Sequence, residues 1–319
     1  MTQKEISVTI IMPTFEIDKS EEALRHILKQ DYPKMEIVVV NDNPKSKPSA
    51  SMLKFMKVNK IKLINNPVNK GISESLNLGI KSSKTQVISI LCRDYFPENK
   101  SWLSNVIKKL YSDDKIGCVV SPIVWPVKAW QKYPFLIRLL TFRHISKPQY
   151  GGGNYKKEVF DKVGFFNPKN YAFAGEDCDM HVRIKKQGYK LERVEDKIIH
   201  VHYDKNSKFS SALKKEQRYG EAHGALKREY GLLRRIGLFD FEIRILFLLG
   251  FLISLFINPV ISLFFLLPFF LASIMQTIYP FVRTNWLPGL LLYPFAGIFI
   301  SIVQTIGAIN GFIKGKQNR

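Results

Sequence analysis

Apolar positions in the first two hundred residues follow two rhythms. Short continuous runs predict buried strands: SVTIIM within Ile6–Met12, ending at Pro13-Thr14, MEIVVV over Met35–Val40, and QVISIL over Gln86–Leu91. Spaced apolar residues between them predict helices. In Ser20–Gln30, Leu24, Ile27 and Leu28 share one face, Glu21 and Glu22 fall in the first turn, and Pro33 lies just beyond the end. Ser73–Lys81, Ser101–Tyr111, Glu158–Val163 and Glu176–Lys186 also read as helices. Ile61–Ile64, Gly117–Val120, Leu191–Val194 and Ile198–Val201 read as short strands. Strands and helices alternating at this spacing predict an α/β fold, a mixed but mainly parallel sheet with flanking helices. The aromatic, proline-bearing stretch Pro122–Tyr150 fits neither rhythm.

After this region the pattern changes. No charged residue occurs from Ile245 to Val282, nor from Trp286 to Ile313. Each stretch exceeds the roughly 20 apolar residues that cross a bilayer. The sequence therefore predicts a soluble domain over 1–205, basic amphipathic juxtamembrane helices over 206–238, and a helical membrane region over 239–319. Apolar segments are expected at Phe239–Ile257, Val260–Val282 and Trp286–Ile313, with Asn258-Pro259 as a hairpin turn. Three full crossings would put Lys314, Lys316 and Arg319 outside, against the positive-inside tendency. An interfacial first segment, or a re-entrant one near Pro288 and Pro294, keeps both ends inside.

Charge and cysteine content refine this picture. The formal net charge is +21, which raises nucleic acid as a partner. No recognition motif accompanies it. The basic runs KKEQRY and KREYGLLRR sit beside the apolar region instead, as expected for a cytoplasmic membrane face that attracts anionic lipid. MTQKEISVTIIMPTF has too short an apolar core for a signal peptide, and the three cysteines Cys92, Cys118 and Cys178 have no metal-type spacing. The expectation is a multi-pass protein of the cell membrane whose soluble domain faces the cytoplasm, with membrane lipids and no nucleic acid among its partners.

Candidate chemistry gathers at strand ends, where ligands collect in parallel sheets. Thr14 and Glu16 follow the first strand, Asp42 the second, and Asp94 the run ISILCRD. Each has a plain alternative, since Asp and Asn open turns. Asn69-Lys70-Gly71 precedes a helix and can cradle phosphate, or be a simple loop. Gly151-Gly152-Gly153 marks a tight backbone path. Glu176, Asp177 and Asp179 open a helix, where acids are favoured by the dipole, and where Asp177 could also stay ionised as a general base. His200 and His202 flank Val201 on an expected strand, so their rings should face opposite sides, one a metal ligand at most and the other packed.

MPTFE, VVVND, NKGISESLNLG, LCRD, GGGNYKKEVFDKVGFFN, GEDCDMHVRIKKQGYKL and HVHY follow one another in this order. The series resembles glycosyltransferase family 2, inverting enzymes with the GT-A fold, over about Ser7 to Tyr230. Ser210–Gly231 followed by apolar segments looks like members that elongate lipid-linked or surface glycans. The resemblance implies a nucleotide-sugar site in which Pro13, Thr14 and Glu16 lie near the base and Asp42 meets the uracil or ribose. Asn69, Lys70, Gly71, Gly153 and Glu176 are expected in the same set. It implies Asp177 as general base, and Mg²⁺ or Mn²⁺ held by Asp94, the last residue of a DxD motif, and by His202. Cys92 stands where the first aspartate of that motif belongs, and QxxRW, the mark of processive synthases, is missing.

The implied reaction moves a sugar from a UDP-sugar, or a GDP- or dTDP-sugar, to a lipid-linked or surface glycan by single displacement. Two alternatives stand beside it: a polyprenyl-phosphate sugar synthase, whose acceptor is the lipid phosphate, and a non-catalytic membrane scaffold with a degenerate nucleotide-sugar domain. A transporter is disfavoured, because the apolar segments carry no buried charge.

Overall fold

The computed structural model describes residues 6–146, 148–231 and 241–315. The expected residues 232–238 of the juxtamembrane region, and Lys316 and Arg319, lie outside the described residues. The chain divides into two compact units, one within Met1–Val124 and Pro148–His202, the other within Trp125–Lys147 and Tyr203–Arg319.

The first unit carries β1 (Val8–Thr14), α1 (Glu21–Ile27), β2 (Met35–Asn41), α2 (Ala50–Val58), β3 (Lys62–Asn65), α3 (Ile72–Ser82), β4 (Val87–Ile90), β5 (Tyr95–Pro97), α4 (Trp102–Leu110) and β6 (Ile116–Val124). The second contributes α5 (Val127–Trp130) and α6 (Phe135–Thr141) before the first resumes with β7 (Gln149–Lys156), α7 (Lys157–Val163), α8 (Glu176–Lys186), β8 (Lys190–Arg193) and β9 (Ile198–His200). The path of the sheet is β3-β2-β1-β4-β7-β6-β9-β5, with β8 beside β6. β3, β2, β1 and β4 are parallel neighbours. β7, which the sequence did not reveal as a strand, runs antiparallel between β4 and β6 and makes the sheet mixed.

Burial on both faces explains the apolar runs. Along β1, Val8, Ile10 and Met12 meet Leu24, Met52, Trp102 and Val106 on one face. Ile11 points the other way and joins Leu76, Ile80, Phe160 and Ile184. Strict two-residue alternation thus serves two cores, one under α1, α2 and α4 and one under α3, α7 and α8. The glycines opening β7 sit tight against isoleucine side chains. A Cβ on Gly151 would come 2.6 Å from Ile123 Cδ1, and one on Gly152, whose φ is +63°, 2.6 Å from Ile198 Cδ1. Asn154, fully buried, ties this irregular pairing together. It accepts from Ser89 at 2.7 Å and donates to the carbonyls of Val119 and Gly152.

In the second unit, α9 (Phe209–Tyr230) is followed by α10 (Phe241–Leu255), α11 (Pro259–Thr284) and α12 (Leu287–Lys314). Asn258 caps α11 by accepting from the Val260 N–H, with Pro259 at the first helical position, as the turn reading of Asn258-Pro259 required. α11 and α12 are long and apolar enough to cross a membrane, whereas the apolar part of α10, Ile245–Leu255, is shorter. The segment illegible in the sequence forms an aromatic core with α9, α11 and α12, in which Trp125, Trp130, Tyr133 and Phe142 gather with Ala212, Tyr293 and Ile300. α9 meets α12 through GEAHG (Gly220–Gly224) and GAING (Gly307–Gly311). A Cβ on Gly224 would lie 1.9 Å from the Ala308 carbonyl oxygen, and one on Gly311 2.0 Å from that of Glu221. The two backbones touch because neither helix has a side chain there. Beside this seam Glu216 accepts from Arg143 at 2.5 Å and from Gln304 at 2.7 Å. Burial alone would raise the Glu216 carboxyl, but the Arg143 charge and the His144 and Gln304 hydrogen bonds bring it down to about 2.

Candidate functional site

β1, β2 and β4 are parallel, and the chain beyond their carboxyl ends supplies Thr14, Asp42 and the Cys92–Asp94 turn. Pro13 and Thr14 close β1. The Thr14 hydroxyl holds the following turn, accepting from the Glu16 N–H at 3.3 Å and from Ser20 Oγ at 2.9 Å. Glu16 pairs with Lys19 and with Arg93, each at 2.7 Å, which ties the β1 turn to the turn carrying Asp94. Both pairs are largely exposed and add little to stability.

Asp42 is almost fully buried and tightly held. Its Oδ1 accepts from Asn66 Nδ2 and the Lys70 N–H, its Oδ2 from the Gly71 N–H, all at 2.8 Å. The N–H groups of Lys70 and Gly71 are therefore spent on a carboxylate. This corrects the reading of that loop as a backbone cradle for phosphate. Asn69 holds the same turn by accepting from Gly71 N–H at 3.1 Å. Asp42 Oδ2 takes one hydrogen bond here, so it keeps a lone pair with which to accept another. Gly71 has φ +88°, and a Cβ there would fall 2.3 Å from the Ala172 carbonyl oxygen. Ile72 N–H donates to that oxygen at 2.7 Å, and Ser73 hydrogen-bonds the Tyr171 carbonyl. The loop held by Asp42 is thus pinned to the segment that enters α8.

The Cys92–Asp94 turn closes with a Tyr95 N–H to Cys92 carbonyl bond of 3.0 Å. β5 then pairs with β9 so that Tyr95 faces His200, and Val201 N–H donates to the Asp94 carbonyl at 3.0 Å. This brings both imidazoles to one carboxylate oxygen. Asp94 Oδ2 lies 3.1 Å from His200 Nε2 and 2.5 Å from His202 Nδ1. The expectation that the two rings face opposite sides was wrong, because alternation holds only inside a strand and β9 ends at His200. Beyond that point the chain has no regular strand geometry, and His202 reaches the same oxygen of Asp94. Burial alone would raise the Asp94 carboxyl, but His200 and then His202 hold it well below the ordinary carboxylate range. One ligand atom from each of Asp94, His200 and His202 lies within 4.8 Å of the others, a group that can hold a metal ion. Cys92 is not part of it.

Three acids open α8 and have three different environments. Gly175, in the left-handed region at φ 82°, starts the helix. Asp179 is fully buried and bonded to Arg183 at 2.7 Å, whose guanidinium also donates to the Val163, Gly164 and Phe165 carbonyls. Asp179 is therefore structural. Asp177 is exposed, and its Oδ1 accepts from the Cys178 N–H at 2.8 Å. Burial first, and then the Asp177 and Asp179 charges, push the Glu176 carboxyl up to about 8. Beneath the helix, Cys118 Sγ lies 3.9 Å from His181 Nε2, and burial pushes that thiol up. Gly153 has a packing role, because a Cβ there would come 2.2 Å from the Tyr155 hydroxyl oxygen.

Three contributors escaped the sequence reading. His200 was set aside by strand alternation. Arg93 carries a 2.7 Å link to Glu16 that no local pattern announces. Asn66 orients Asp42, and its only signal was its place just after a strand.

The glycosyl transferase family 2 model matches residues 9–168, and a model described as the N-terminal domain of galactosyltransferase matches residues 142–205. An uncharacterized glycosyltransferase of Rickettsia felis is 33% identical over 112 residues, 34% of this chain and 18% of the relative. One of Rickettsia typhi is 34% identical over 112 residues, 34% of each chain. These matches span well under two thirds of either relative. Among solved structures, the mannosyltransferase PcManGT from Pyrobaculum calidifontis, in complex with GDP-Man and Mn²⁺, superimposes with a TM-score of 0.58 at 18% identity. That similarity covers 98% of this chain and 88% of the other, and shows a shared GT-A fold. With a family model covering half its length and this architecture beneath it, the chain belongs to glycosyl transferase family 2.

Proposed function

We propose that the protein is a membrane-associated inverting glycosyltransferase that moves a sugar from a nucleotide-sugar donor to a lipid-linked or surface glycan. The observation that carries this reading is the convergence of His200 and His202 on Asp94, at a sheet edge that also presents Asp42. Asp42, with Pro13, Thr14 and Glu16, takes the nucleoside, and the loop Asn69–Gly71 and Glu176 line the same site. A UDP-sugar was the first expectation. The GDP-Man held by PcManGT gives a GDP-sugar equal standing and supports a nucleotide sugar in general. The catalytic domain lies within residues 1–205 and faces the cytoplasm, except that Trp125–Lys147 and the chain from Tyr203 belong with the helical unit.

The chemistry is a single displacement. The exposed Asp177 carboxylate takes the proton of an acceptor hydroxyl. The acceptor oxygen bonds to the anomeric carbon while the bond from that carbon to the diphosphate oxygen breaks. The nucleoside diphosphate leaves with the electron pair, and configuration inverts. A divalent cation, when bound, neutralises charge on the departing diphosphate. Asp94, His200 and His202 would hold it. Two imidazoles beside one carboxylate suit Mn²⁺ better than Mg²⁺, which prefers oxygen donors and near-ideal octahedral geometry.

The test is nucleotide release by detergent-purified protein from GDP-, UDP- and dTDP-sugars, with Mn²⁺, Mg²⁺ or EDTA, with and without lipid extract. Release from one donor that requires both cation and lipid is the expected result. Absence of release and of donor binding under every condition would sink the proposal and favour the scaffold alternative. Activity retained by Asp177→Asn would point to a lipid phosphate as acceptor, since a phosphate needs little base assistance.

A further inference from the structure

We infer that α11 and α12 lie along the membrane in one leaflet rather than crossing it, with α9 and the Trp125–Ser146 segment on the water side. The inference rests on the membrane-associated reading above. It concerns only the helical unit.

The argument starts from the buried face of α12. Gly289, Tyr293, Gly297, Ile300, Gln304 and Gly311 recur at helical spacing along nearly the whole helix. The first half of this face meets the aromatic core around Trp130 and Phe142, and the second half meets α9. At the start, a Cβ on Gly289 would come 2.7 Å from Phe142 Cζ, and Phe142 is followed by Arg143 and His144. In the middle, Gln304 Nε2 donates to Glu216. Further on, the backbone of α9 touches Gly307 and Gly311, and Arg228 Nη1 donates to the Ile313 carbonyl at 2.8 Å. α9 therefore runs beside α12 from Gln304 to its end, and it exposes Lys214, Arg228 and Glu229.

A crossing takes about 20 residues. α12 has 28, so any such window contains Gln304. Crossing would carry the Arg143–Glu216 pair and the adjoining turns of α9 into hydrocarbon. A buried pair can be tolerated there, but exposed charges on a water-facing helix are costly. α11 shares the depth of α12. Tyr293 donates to Gln276 at 3.2 Å, a Cβ on Gly297 would meet Ser273, and Phe295 packs on Phe270 at 5.5 Å.

Apart from the part of α11 that α10 covers at Phe265, the other surfaces of the helix pair are apolar, with Leu267, Leu271 and Met275 of α11 and Leu291, Phe295 and Phe299 of α12 exposed. A layer one helix thick, about 10 Å, matches the roughly 5–10 Å to which in-plane helices sink. At the α11–α12 turn, Trp286 lies under the Arg138 guanidinium at 4.9 Å, an aromatic ring with a cation at headgroup level. The occupant of the apolar surface is thus the acyl chains of one leaflet, with anionic headgroups against the basic α9.

Asn258→Cys and Asn285→Cys place thiols at the two ends of α11, both at exposed positions. The full chain is reconstituted into sealed vesicles of phosphatidylcholine with phosphatidylglycerol, floated on a density gradient, and labelled with a membrane-impermeant maleimide before and after detergent. Native Cys178, exposed in the first unit, reports which molecules face outward. We expect each new thiol to label without detergent to the same extent as Cys178. A thiol that labels only after detergent, at either end, overturns the in-plane arrangement. Failure to float removes the membrane reading itself, and this inference with it.

Discussion

The two units bury polar groups for different purposes. In the sheet unit, Asp42, Asp94 and Asn66 hold backbone turns and neighbouring side chains at strand ends, and Asn154 ties β7 to its neighbours. Large side chains such as Trp102 and Met12 fill the space between sheet and helices. In the helical unit the main seam has almost no side chains, because Gly224 and Gly311 let α9 and α12 meet backbone to backbone. Its buried charges, Glu216 and Arg143, join elements far apart in sequence. The comparison teaches that the sheet unit uses many of its polar groups to fix the turns around the candidate site, and the helical unit uses its own to join distant elements. Substitutions should therefore separate activity from stability according to unit.

The sharpest separation is expected at Asp177. Asp177→Asn should lower turnover by roughly 10²–10⁴-fold while leaving the donor dissociation constant and the melting transition in place; turnover close to wild type in a competition-free assay would remove Asp177 from its role. On the other side, Glu216→Ala leaves the Arg143 charge buried without its carboxylate, at a cost of about 3–5 kcal/mol in stability. The Glu216 carboxyl is held near 2 against an ordinary 4.5, so its contribution is present above about 4.5 and fades as the pH falls through about 2. Chemical denaturation of both proteins at pH 7 and at pH 2 checks this, since their stabilities should converge in acid.

Gly224→Val is the next effect in size. The added Cβ would press on the Ala308 carbonyl, costing about 1–3 kcal/mol or more. Donor binding, measured by titration calorimetry, should persist if the comparison between the units holds. A smaller signal is expected at Glu176. Its carboxyl is raised to about 8, so the stability linked to its proton is full below about 4.5 and lost as the pH rises through about 8. Glu176→Gln should flatten that slope, read as the denaturation midpoint against pH. The smallest effect is expected from Cys92→Asp, which adds a carboxylate beside Asp94. Mn²⁺ affinity, followed by electron paramagnetic resonance, should rise by no more than about tenfold.

Much of the sheet unit was legible because its signals are local. The runs at Ile6–Met12, Met35–Val40 and Gln86–Leu91 match strands covered on both faces, and amphipathic spacing located α1, α3, α4, α7 and α8 to within a few residues. β7 was not legible. Its three glycines carry no hydrophobic pattern, and its place between β4 and β6 depends on distant partners such as Ile123, Ile198, Ser89 and the Val119 carbonyl. Asp94 and Asp42 could be picked out by their places after strands. Asp42's actual partners, the N–H groups of Lys70 and Gly71, come from a loop 28 residues away and more. His200 was misjudged because the end of a strand cannot be read to a single residue from composition.

By itself the sequence determined the class of the fold, the order of the candidate site residues and the division between a charged region and an apolar one. Periodicity and composition are properties of neighbouring residues, and neighbours suffice for those. Only the tertiary structure decided that His200 and His202 share Asp94, that Trp125–Lys147 leaves the sheet for the helical unit, and that α9 covers α12. Each of these depends on where the chain returns after many residues. That is set by the total burial and hydrogen bonding of the folded molecule, which no short window contains.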